Sequence, residues 1–150
     1  MRTRDRRRIT PTAVLAALLL AGCGTTGESG QDMPTLQFDQ AIDTAIDGVA
    51  ETGAPVLVRD VTSIEWDEVA LFTEGATAEE IKTVVGDAGL HGERYLSSTN
   101  LLVFRADGEV VALIGTSPDV FTGEYGVLLG REAAFTSDGA WEGYVRLSEG

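Results

Sequence analysis

One cysteine, one histidine and one lysine stand in 150 residues, and each scarcity removes a class of chemistry. Cys23 has no second cysteine with which to close an intramolecular disulfide. His91 lies in the loop Gly89-Leu90-His91-Gly92-Glu93, and a lone loop histidine is ordinarily a solvated side chain rather than a general base. With Lys82 as the sole lysine, an amine nucleophile is absent from most of the surface. No serine sits in a Gly-x-Ser-x-Gly elbow. The 18 glycines form neither a Walker loop nor a Gly-x-Gly-x-x-Gly phosphate cradle, which counts against nucleotide binding. No apolar run approaches the roughly 20 residues needed to span a bilayer, so a transmembrane protein is not expected.

Positive charge is scarce and unevenly placed. Arg2, Arg4, Arg6, Arg7 and Arg8 crowd the first eight residues, and from Ile9 onward six basic residues face 23 acidic ones. A surface this acidic repels phosphate, and no later stripe of arginines relieves it, so no nucleic-acid partner is expected.

The beginning of the chain is an address. An arginine-rich head, the apolar stretch Ala13 to Leu20 and the small-residue exit Ala21-Gly22 form the three parts of a secretory signal over residues 1–22. Leu20-Ala21-Gly22-Cys23 resembles the lipobox of bacterial lipoproteins at all four positions. The resemblance implies that Cys23 takes a diacylglyceryl group, that cleavage precedes it, and that residues 23–150 lie outside the cytoplasm in the cell envelope, with the bilayer as a partner. Two or three acyl chains would hold a small acidic protein that anionic lipid otherwise repels. An ordinary cleaved signal with Cys23 left as a free thiol is the alternative. Arg6-Arg7-Arg8-Ile9 also resembles a twin-arginine export signal, so the export route stays open.

Residues 23–35 have almost nothing apolar to bury and read as a flexible tether, leaving one globular domain over residues 36–147. Phe38, Ile42, Ala45, Ile46 and Val49 share one face at helical spacing, with Asp39, Asp43 and Asp47 as an exposed acidic stripe; this predicts a helix from about Leu36 to Glu51, ended by Gly53 and Pro55. Short strands are expected at Val56–Val58 and Val69–Phe72. Thr77-Ala78-Glu79-Glu80 is a capping box opening a short helix that stops at Gly86. Asp107-Gly108 between two apolar runs predicts a hairpin. A second hairpin is expected around Ser137-Asp138-Gly139, from Glu132–Thr136 to Trp141–Leu147, and Tyr125–Leu129 could add a strand. The sum is an α+β fold: two short helices packed on one face of a mainly antiparallel sheet of about five to six strands.

The segment Ile64 to Gly75, followed by the capped helix and Gly86, contains a tryptophan-aspartate pair, a strand ending in phenylalanine and a loop. It is similar to a pattern in small uncharacterised exported bacterial proteins, a resemblance that implies no activity. Trp66 and Asp67 are the candidate partner-binding residues, against a structural reading in which Trp66 packs at the sheet edge and Asp67 caps a turn. Glu65, Asp67 and Glu68 lack the alternation a metal site needs, so neither a metal nor a cofactor is expected, and 23 acids guarantee accidental carboxylate pairs without a catalytic frame.

The reading that fits size, address and missing site is a membrane-anchored lipoprotein carrying a non-catalytic interaction module for an envelope protein or component, with Trp66, Trp141 and Tyr144 as contacts. A small-ligand or cation-binding domain is the alternative, and a carboxylate-dependent envelope hydrolase a third.

Overall fold

The computed structural model describes residues 33–116 and 120–150. The leader, Cys23 and the tether as far as residue 32 lie outside the described residues. The elements are β1 (Leu36–Phe38), α1 (Gln40–Thr52), β2 (Val56–Leu57) running into a 3-10 turn (Val58–Asp60), β3 (Glu68–Phe72), α2 (Ala78–Val85), β4 (Asn100–Ala106), β5 (Glu109–Thr116), β6 (Ala133–Ser137) and β7 (Val145–Glu149). The fold is α+β, with seven strands in two mainly antiparallel sheets: β1-β5-β4-β3 and β2-β6-β7.

Helix α1 starts four residues later than its periodicity predicts. Asp39 is its N-cap, in extended conformation, and Asp39 Oδ1 accepts from the backbone N–H groups of Ala41 at 2.8 Å and Ile42 at 3.3 Å. That cap frees Leu36–Phe38 to pair in parallel with Leu113–Gly115 as the edge strand β1, so Phe38 is 64 % exposed instead of core. The far end matches the expectation: Gly53, at φ 73°, donates to Val49 O at 2.8 Å. The capping box at Thr77 is complete, with Thr77 Oγ1 accepting from Glu80 N at 3.1 Å and Thr77 N–H donating to Glu80 Oε2 at 2.7 Å.

The four-stranded sheet is buried on both faces, and this corrects the one-sided packing expected of the helices. The β3–β4 register pairs Val69 with Phe104 and Leu71 with Leu102, and these side chains join Ile114, α1 (Ile42, Ile46, Val49) and Phe135 and Val145 of the second sheet in one core. The alternate positions, Ala70, Phe72, Leu101, Val103 and Leu113, pack with Ile81 and Val85 of α2 in the other. Burying each such large apolar side chain stabilises by about 1.5–3 kcal/mol, so α1 and α2 are held from opposite sides of the sheet.

Asp107 and Gly108, with φ of 52° and 83°, form the two-residue turn joining β4 to β5. A bulge follows Phe104 in the register: Phe104 pairs with Ala112 but Arg105 with Val110, which leaves Val111 as the extra residue. The β6–β7 hairpin forms, but β7 begins at Val145 and not at Trp141, because residues 138–144 close a loop in which Asp138 N–H donates to Tyr144 O at 2.9 Å. Residues 125–129 form no strand. They run along the outer edge of β3, where Val69 and Leu129 exchange backbone hydrogen bonds at 2.9 Å and Gly126 donates to Leu71 O at 2.8 Å, shielding that edge. At the start of the domain Met33 lies against Gly89, so the packed unit begins slightly before Leu36, and β7 carries it on to Glu149.

Candidate functional site

Trp66 and Asp67 lie together just before β3, but the structure uses them internally. Trp66 is 2 % exposed, its ring packed edge-on to Phe104 with centroids 5.5 Å apart. The Arg131 guanidinium lies 5.8 Å from the Trp66 ring centre, and Arg131 Nη1 donates to Trp66 O at 2.8 Å. A side chain so enclosed offers no surface to a partner, which removes Trp66 as a contact. Asp67 Oδ2 accepts the Asp107 backbone N–H at 2.9 Å, so Asp67 caps a turn, although one forty residues away in sequence. Trp66 Nε1 and Asp67 Oδ1 are buried without a hydrogen-bond partner.

Exposed aromatic surface collects instead on the loop between β6 and β7. Trp141 is 66 % exposed and Tyr144 40 %. Tyr144 N–H donates to Trp141 O at 3.2 Å, which folds the tip into a tight turn; Gly139 before the turn and Gly143 within it supply positive φ values of 72° and 82°. The base of the loop is fixed by Asp138, whose side chain is 1 % exposed. Its carboxylate accepts from the Thr122 hydroxyl, from Arg146 Nε at 2.7 Å and from Ala140 N at 3.1 Å. The Thr122 bond first, and then the Arg146 bond, lower the Asp138 pKa from 3.8 to about 2, so the ionised form is strongly favoured. An exposed tryptophan on a loop held at its base loses little conformational freedom on binding, which is the property of an interface anchor.

Among the described residues no group of three or more His, Cys, Asp or Glu side chains is arranged to hold a metal ion. Asp39 caps α1, Asp43 is half-buried and only Asp47 of the three faces solvent, so they do not form the exposed acidic stripe that their spacing predicts, and His91 is exposed. The Glu80 carboxyl is likewise held below its ordinary value, chiefly by the Thr77 backbone N–H and then by the Thr77 hydroxyl. Neither shift runs in the direction that a general acid requires. No helix among the described residues is long and apolar enough to cross a membrane.

Trp141 and Tyr144 were already candidate contacts in the sequence. The role of Asp138 was not legible there, because its partner Thr122 comes from 16 residues earlier and no local pattern links the two. No family model matches the chain, and no curated protein and no solved structure is detectably similar to it.

Proposed function

We propose that this chain is a lipid-anchored envelope lipoprotein whose domain is a non-catalytic binding module, engaging an envelope protein through the β6–β7 loop. The observation that carries the reading is Trp141, two-thirds exposed at the tip of a loop whose base is fixed by the buried Asp138 carboxylate. Truncating such an anchor commonly costs 2 kcal/mol or more of binding, about thirtyfold in affinity. The anchor itself rests on the lipobox Leu20-Ala21-Gly22-Cys23. Diacylation there would restrict the domain to the neighbourhood of one membrane surface and raise its effective concentration for partners in that layer.

Cross-linking in intact cells, followed by recovery of the protein and identification of what accompanies it, tests both halves. A discrete protein should be recovered with the wild-type chain and lost with Trp141→Ala, while Cys23→Ala should leave an unprocessed, unlipidated precursor. Normal processing and membrane retention of Cys23→Ala would remove the anchor. An unchanged partner profile with Trp141→Ala would remove the loop.

A further inference from the structure

A second surface, none of whose lining residues belongs to that loop, lies where the end of β3 meets α2. A groove of about 600 Å³ opens there, with Phe72 and Val84 beneath it and Tyr125 along one side. The Tyr125 hydroxyl donates to Phe121 O at 3.0 Å, which holds the ring in place. Gly126 reaches the groove at φ 70°; a Cβ there would sit 3.5 Å from the Phe72 ring and 3.8 Å from Val84, and thus line the floor without filling it.

The rim is charged, and with one sign in excess. Glu74, Glu79 and Glu80 border the groove together with a single cation, Arg94. Arg94 Nη1 is spent on Gly75 O at 2.9 Å, and its charge acts on Glu80. Glu80 is itself committed to the Thr77 cap through Oε2. Glu74 and Glu79 are exposed, and their carboxylates have no hydrogen-bond or ion-pair partner among the described residues. Lys82 lies outside the groove, on the neighbouring side of α2.

An apolar floor under two uncommitted carboxylates complements one kind of side chain: a hydrocarbon stem that ends in a positive charge. Phosphate and carboxylate ligands meet like charge here, and a purely apolar ligand leaves the two carboxylates desolvated without a partner. An aromatic face at the side adds attraction for an ammonium or guanidinium. We propose that the groove between β3 and α2 takes a lysine or arginine side chain from an extended basic segment of a protein partner. The proposal is independent of the lipid anchor and of Trp141.

The test is calorimetric titration of the full chain with a capped peptide of alternating lysine and leucine, with the glutamate-leucine peptide and calcium chloride as separate probes. The lysine peptide should bind and the glutamate peptide should not. Glu74→Gln combined with Glu79→Gln should weaken binding about tenfold, whereas Asp47→Asn combined with Glu51→Gln, which removes the same charge from α1, should leave it unchanged. Amide shifts on binding should concentrate at residues 73–84 and 125–126. Equal weakening by both double variants would reduce the effect to overall charge. Binding of calcium in preference to the peptide, shifts elsewhere on the domain, or no binding of the lysine peptide would each overturn the proposal. Trp141→Ala should not alter this titration, so failure of the loop reading and failure of the groove reading are separable.

Discussion

The Asp67 carboxylate accepts a hydrogen bond from the backbone N–H of Asp107, the one non-glycine residue with positive φ among the described residues, at 2.9 Å. The chain leaving Trp66 thereby holds the turn between β4 and β5 from outside the hairpin. Arg105 extends the clamp, since Nη1 binds Glu68 Oε2 at 2.7 Å and Nη2 binds Gly108 O at 2.8 Å. Asp67→Ala should therefore cost about 1 kcal/mol of stability in urea unfolding, and it should accelerate hydrogen exchange at Asp107. A normal exchange rate there would show that the turn is held by its own residues.

The two tryptophans should be distinguishable in solution. Trp66→Ala removes a ring from the interior and should destabilise by about 3–5 kcal/mol, whereas Trp141→Ala, at a 66 % exposed position, should change stability by less than about 0.5 kcal/mol. Acrylamide should quench the Trp141 component of the fluorescence and spare that of Trp66. Equal quenching of both would contradict the burial of Trp66.

The pH dependence of stability follows from Asp138. Its pKa in the folded protein is lowered to about 2 from an ordinary 3.8, so its contribution is present in full above the unfolded value and is lost as pH falls from about 4 to about 2. Asp138→Asn should be less stable than wild type at pH 7, and the gap should close toward pH 2. A gap that persists unchanged at pH 2 would assign it to packing and not to ionisation.

Thr77 and Glu80 satisfy each other's backbone donors at the start of α2. Thr77→Ala should lose about 1 kcal/mol, measured by thermal unfolding, and Thr77→Ser should recover most of it. Loss of stability with both would point to the Thr77 methyl group and not to the cap.

Features written in a few consecutive residues were legible in advance. The Asp107-Gly108 turn, the Thr77–Glu80 box and the Gly53 stop each have a local cause, and each stands where the residues place it. What the sequence obscured depends on distant partners. Phe38 has the spacing of a helical core residue, yet its neighbour Asp39 caps the helix and the strand opposite takes Leu36–Phe38. The packing of helices on both sides of the sheet did leave a trace, since Val69-Ala70-Leu71-Phe72 and Leu101-Leu102-Val103-Phe104 are continuous apolar runs, the pattern of strands covered on both faces. A packing role for Trp66 was readable beside the partner-binding one, but its partners were not, because Arg131 and Phe104 reach it from 65 and 38 residues away. The exposed aromatics of the β6–β7 loop were readable, but the groove beside α2 was not, since Phe72, Val84 and Tyr125 meet only through tertiary packing.

Strand β1 has a mechanical consequence. It is three residues long, contributes no buried side chain, and is the first element of the domain that a force drawn through the preceding chain would meet. Immediately behind it, α1 is riveted to the interior by Ile42, Ile46 and Val49. A pull from the N-terminal side is thus resisted in two stages of very different strength. The short strand can peel away under a small load and lengthen the chain ahead of α1 by a few residues, while the domain behind it keeps its shape.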